Sequence, residues 1–156
     1  MTCMKLWLLL GKAAFWLCWP ALFVYMRVGA RTRVLLVVDD KVLVVQGWFG
    51  NGKWGLPGGG LHRGEDPLQG ALRELKEETG IVLAPKALTA EGSTRVSEAG
   101  IGFEYHRYFA RLPKALPVHM QQFEITQAVW MPMSQLTEAN APRSTLDMMA
   151  SWQRKG

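Results

Sequence analysis

GGLHRGEDPLQGALRELKEETGI, residues 59–81, is the stretch on which the reading of this chain turns. Asp66 is a natural N-cap, Pro67 suits the first helical position, and Gln69 has capping-box spacing from Asp66. Gly80 supplies a left-handed stop. A helix is therefore predicted from Pro67 to Thr79. At ~100° per residue, Leu68, Ala71, Leu72, Leu75 and Thr79 share one stripe, the core face. Glu74, Glu77 and Glu78 share another, with Gly70 one turn earlier leaving that surface uncluttered. An acidic, solvated face is one reading of the glutamates. It is electrostatically awkward, because like charges at i, i+4 repel and two of them sit where the helix dipole is already negative. The competing reading is a hard divalent cation bound by carboxylate oxygens, with the Gly58–Gly59–Gly60 backbone close enough to add a carbonyl.

Outward from this helix, residues 33–39 (RVLLVVD) and 41–46 (KVLVVQ) are β-branched runs split by Asp39–Asp40, and predict a strand hairpin. Residues 47–60 are glycine-rich loop with a short strand near Trp54. Further strands are expected over residues 94–97, 103–111 and 125–131. A turn of helix is expected at Ser134–Gln135–Leu136, and a last helix over residues 144–154. Mixed strands and helices without repeats indicate a single α/β or α+β domain.

Gly59-x5-Glu65-x7-Arg73-Glu74-Leu75-x-Glu77-Glu78-x-Gly80-Ile81 matches the signature of the Nudix hydrolase family at every specified position. Trp54-Gly55-Leu56-Pro57 resembles the family's lead-in, and Val129-Trp130-Met131-Pro132 with Leu136 its closing strand and helix. The resemblance covers about residues 33–136. It implies an α/β/α sandwich around a mixed β-sheet and metal-dependent hydrolysis of a small-molecule diphosphate, a nucleoside diphosphate linked to another group. By the same resemblance Gly59, Glu74, Glu77 and Glu78 are metal ligands for Mg²⁺ or Mn²⁺. Glu74 is the candidate general base, and Arg73 orients the glutamates by ion pairing. Glu65 holds the loop or binds metal through water. Glu124, six residues before Trp130, stands where several relatives carry an outer ligand or alternative base; a plain surface glutamate is the competing reading. His62 departs from the glutamate common at its position. His106 and His119 read as structural or exposed. Trp48, Phe49 and Trp54 have the chemistry to stack on a base, although core packing is the commoner use. Arg95 and Arg107 have the charge to reach phosphates, although surface positions suit them equally. Alternatives to the nucleotide reading are hydrolysis of a membrane-proximal or lipid-linked diphosphate, and a sensor that binds nucleotide without turnover.

The net charge of +5 is carried by one end of the chain. Lys5, Lys12, Arg27, Arg31 and Arg33 precede the first acidic residue, Asp39; the other 13 of the 18 Lys and Arg balance the 13 Asp and Glu. No basic stripe remains for a nucleic-acid polymer. Cys3 and Cys18 both lie in the same N-terminal part, which excludes a disulfide framework or cysteine metal site in the body. Residues 6–26 carry one charge, Lys12, and are long enough as a helix to cross a ~30 Å hydrocarbon core. Arg27, Arg31 and Arg33 behind them would keep the body on the cytoplasmic face. A helix lying in the membrane interface, a helix packed on the domain itself and a cleaved signal compete with this reading. The expected organisation is an apolar N-terminal helix over residues 1–30 and a catalytic domain over residues 31–156.

Overall fold

The computed structural model describes residues 30–47, 52–98, 101–120 and 125–155. Strands β1 (Arg31–Val38) and β2 (Lys41–Gly47) precede helix α1 (Pro67–Thr79). Strands β3 (Thr89–Glu98), β4 (Ile101–Arg111) and β5 (Ile125–Pro132) follow, and helix α2 (Arg143–Gln153) closes the domain. Single 3-10 turns cover Pro85–Ala87 and Met133–Gln135. The apolar N-terminal segment, Trp48, Phe49 and Glu124 lie outside the described residues. Among the described residues no helix is long and apolar enough to cross a membrane.

The five strands form one mixed sheet in the order β3-β4-β1-β2-β5. Strand β1 runs parallel to β4, from Arg31↔Tyr105 to Val37↔Arg111, and the other pairings are antiparallel. The run VLLVV in β1 has no polar alternation because both its faces are covered. Val34 and Leu36 join Leu43, Ala71, Leu75 and Tyr108 on the α1 side. Leu35 and Val37 join Phe109, Met148 and Met149 on the α2 side. Helices thus cover both faces, giving the expected α/β/α sandwich. The two-residue turn at Asp39–Asp40 closes the hairpin with Asp39 at φ 52°, a left-handed position that aspartate tolerates.

A split in the sheet creates the place for the site. Strands β1 and β2 pair only next to their turn, at Val37↔Val42 and Val38↔Lys41, and then diverge. Residues 55–61 fill the gap. Val45 and Gly55 exchange two backbone hydrogen bonds of 2.9 Å on the β2 side. On the β1 side Val34 N–H donates to Pro57 O, Thr32 N–H to Gly59 O and Leu61 N–H to Ala30 O, each at 2.9 Å. The diverging strands' backbone groups are satisfied by this loop, which is pinned against the sheet directly before α1.

Candidate active site

Helix α1 forms where the sequence predicts it. Asp66 Oδ1 accepts from Leu68 N–H and Gln69 N–H at 3.0 and 3.1 Å, and Gly80 closes the helix at φ 73°. Ala71 and Leu75 are fully buried and seat the helix on the sheet; burial of each such leucine contributes about 1.5–3 kcal/mol. The surface around Gly70 is not uncluttered as expected. A Cβ there would collide with Leu61 Cδ2 and lie 3.1 Å from Glu65 Oε2, so the glycine admits the loop against the helix.

The acidic face meets the glycine loop. Glu78 is buried, and its Oε2 accepts from Gly58 N–H at 2.8 Å. The Glu74 carboxylate lies so close to Gly59 that a Cβ there would be 2.6–2.7 Å from its carboxylate atoms. Gly58 adopts φ 132°, and a Cβ on it would fall on the Thr32 carbonyl, so only glycine fits.

Arg73 is the hub of the cluster. Its Nε and Nη2 grip Glu65 side-on at 2.8 and 2.9 Å. Its Nη1 donates to Glu74 Oε1 at 2.8 Å and Glu77 Oε2 at 3.0 Å, and Nη2 also donates to Gly60 O at 3.0 Å. All five guanidinium N–H groups are thereby used, which leaves Arg73 no N–H for a further acceptor. Its hydrogen bond holds the Glu65 carboxyl down at about 2, against the opposing effect of burial. The same partners raise the Arg73 pKa. Burial pushes the Glu74 carboxyl up, with Arg73 opposing.

Glu65, Glu74, Glu77 and Glu78 are therefore brought to one loop–helix junction. Among the described residues no three acidic or histidine groups stand grouped around a common point as they would to hold a metal ion; Arg73 occupies the middle of the set. The donor chemistry nonetheless fits a hard cation, because a carboxylate has about four acceptor sites and even Glu65, with three N–H donors, does not fill them.

Other residues singled out in the sequence lie elsewhere. His62 is exposed, and its backbone N–H rather than its ring joins the cluster, donating to Glu65 Oε2 at 2.8 Å. Trp54 packs against the core beneath α2. Arg107 pairs with the shielded Glu91 carboxylate at 3.3 Å, as does Lys155 at 3.2 Å; Arg95 is exposed. Arg33 was not singled out, yet its Nη1 donates to Gly58 O. In the sequence it stands out only as one of the basic residues ahead of Asp39.

A family model described as the NUDIX domain matches residues 28–151. The chain belongs to the Nudix family. Nudix hydrolase 6 of Arabidopsis thaliana is 34% identical over 124 residues, covering 70% of this chain and 40% of that protein. This Nudix chain thus spans about two fifths of that relative's length. The NUDIX domain of Shewanella oneidensis NrtR, solved with ADP ribose, superposes with a TM-score of 0.70 at 22% identity, covering 81% of this chain and 86% of that one. A bifunctional NMN adenylyltransferase/ADP ribose pyrophosphatase from Francisella tularensis, solved with AMP and a Mn ion, gives 0.67 at 19% identity, covering 81% and 41%. At these identities the two structures establish the Nudix fold.

Proposed function

We infer that this Nudix domain is a divalent-metal-dependent pyrophosphohydrolase cleaving the diphosphate of a nucleoside diphosphate linked to another group. The observation that carries this reading is the complete carboxylate set, with Glu65, Glu74 and Glu77 held on Arg73 and Glu74 and Glu78 against the Gly58–Gly59 backbone. The ADP ribose and AMP in the Shewanella and Francisella structures support a nucleotide-derived diphosphate, and the Mn ion of the latter supports a divalent metal.

In this reading Glu74, Glu77 and Glu78 hold Mg²⁺ or Mn²⁺. The Gly59 carbonyl joins them with the lone pair not used by Thr32 N–H. The bound ion supplies acidification of the attacking water and neutralisation of charge on the bridging oxygen. Glu74 accepts the proton as water adds to one phosphorus and the bridging P–O bond breaks. Arg73 keeps Glu74 and Glu77 in place while its grip on Glu65 fixes the loop. Glu124 belongs to the same proposal as outer ligand or alternative base. A screen of nucleoside diphosphate derivatives tests the reading: Mg²⁺-dependent release of a nucleoside monophosphate is expected. Saturable nucleotide binding without turnover would make the domain a sensor instead.

A hydrogen bond favours a second reading of the substrate's location. Leu61 N–H donates to Ala30 O at 2.9 Å, so the chain enters the domain beside the catalytic loop. Three residues lie between Met26, the end of the apolar segment, and Ala30; the four Cα-to-Cα steps span at most roughly 14 Å. Residues 1–30 are proposed as a membrane attachment and residues 31–156 as the hydrolase, held at the cytoplasmic face with its site close to the bilayer. Removing residues 1–26 should then cut turnover of a vesicle-borne lipid diphosphate at least about tenfold while sparing free nucleotides. Equal loss on both contradicts this reading.

A further inference from the structure

A diphosphate approaching this site meets four carboxylates, Glu65, Glu74, Glu77 and Glu78. The nearest cation, Arg73, has no N–H left to offer it. Arg33 differs. Strand alternation places it on the side of Leu35 and Val37, the sheet face away from α1. Its guanidinium lies 4.8 Å from the centre of the Tyr105 ring, and its Nη2 donates to the Tyr105 hydroxyl at 3.5 Å. Nη1 spends both hydrogens on the Thr32 and Gly58 carbonyls. The Nε–H and one Nη2–H meet no acceptor among the described residues. That is the edge with which Arg73 grips the Glu65 carboxylate, and it matches two phosphate oxygens equally well. The head group is thus held still against an aromatic face and the glycine loop, with a bidentate edge to spare.

We propose that Arg33, braced by the Gly58 carbonyl and Tyr105, is the substrate-binding residue that grips the diphosphate, through its Nε–Nη2 edge, on the sheet side of the metal site. This rests on the pyrophosphohydrolase reading, and it identifies the ligand group as a phosphate rather than a base or sugar. The fork, not the charge alone, is what binds. Arg33→Lys should therefore be impaired as well as Arg33→Met.

The test uses the full chain with ADP ribose as probe substrate and Mn²⁺ as metal. Arg33→Met should lower kcat/KM about 100-fold and Arg33→Lys about tenfold, mainly through KM. Mn²⁺ affinity, read by electron paramagnetic resonance, and the melting temperature should stay close to wild type. A purely structural role through the Gly58 carbonyl would instead weaken Mn²⁺ binding in step with activity, and would overturn the proposal. So would an unchanged KM in both variants. If wild type does not hydrolyse ADP ribose, calorimetric binding of inorganic pyrophosphate with Mn²⁺ decides. Weaker binding to Arg33→Met than to wild type supports Arg33 as the phosphate grip whatever becomes of the hydrolase reading; equal binding overturns it.

Discussion

Replacing Arg73 by methionine should destabilise the domain more than most single substitutions. The Arg73 side chain is 22% exposed, and the Glu65 and Glu74 side chains it binds are 14% and 12% exposed, so water screens these pairs poorly. Glu77, at 38%, is open enough that its share is small. Methionine keeps most of the stem's packing but strands two largely shielded carboxylates. Breaking one partner of such a pair costs about 3–5 kcal/mol. For a chain of this size that lowers Tm by about 6–20 °C. Urea denaturation followed by tryptophan fluorescence gives the magnitude, and a double-mutant cycle with Glu65→Gln gives its origin. The two substitutions should be strongly less than additive, since both remove the same side-on pair. Adding Mg²⁺ should stabilise Arg73→Met more than wild type, because the ion replaces a missing cation. Additivity within about 0.5 kcal/mol, or a total loss under about 1 kcal/mol, would refute the hub assignment.

The acid limb of the stability profile should report the same pair. With Glu65 held at about 2 against an ordinary 4.5, its contribution is full above pH 4.5 and is lost as pH falls towards 2. Urea midpoints measured across that window should fall less steeply in Arg73→Met, and an unchanged slope would count against the pairing. Glu74→Gln should raise the metal-free Tm while abolishing hydrolysis. A buried carboxyl whose pKa is raised loses stabilising effect as pH climbs through it, so the neutral amide is favoured at pH 7; a lower Tm would contradict this. Gly58→Ala should cost more than about 2 kcal/mol and most activity, because strain and a backbone collision coincide. Gly55→Ala, with open space around its Cβ position, is the control and should change little in a thermal melt.

Much of the site was legible because it is local. Asp66, Pro67 and Gly80 mark the ends of α1, and the spacing of Glu74, Glu77 and Glu78 fixes their shared face whatever the rest of the chain does. The hub role of Arg73 followed from the family resemblance and needed only one helical turn and the adjacent loop. Non-local features were harder to read. Strand β3 begins at Thr89, five residues before the expected Thr94, because the bulge between Ala90 and Gly92 breaks the period-two pattern. The divergence of β1 and β2, which admits the glycine loop, leaves no mark on either strand's apolar run. Arg33 reads as a basic flank until the fold brings Gly58, 25 positions away, against it. Arg107 and Trp54 had the right chemistry for substrate contact, but Glu91 claims the first and the core the second.

The most direct measurement is nucleoside monophosphate release from a panel of nucleoside diphosphate derivatives, with and without Mg²⁺, for wild type and Glu78→Gln. Glu78 is the buried carboxylate tied to the glycine loop and, in the proposed function, a ligand of the metal. Wild type should hydrolyse at least one compound only when the metal is present, and Glu78→Gln should lose about 100-fold or more of that rate while remaining folded. Metal-independent turnover, or equal rates in the two proteins, would contradict the account.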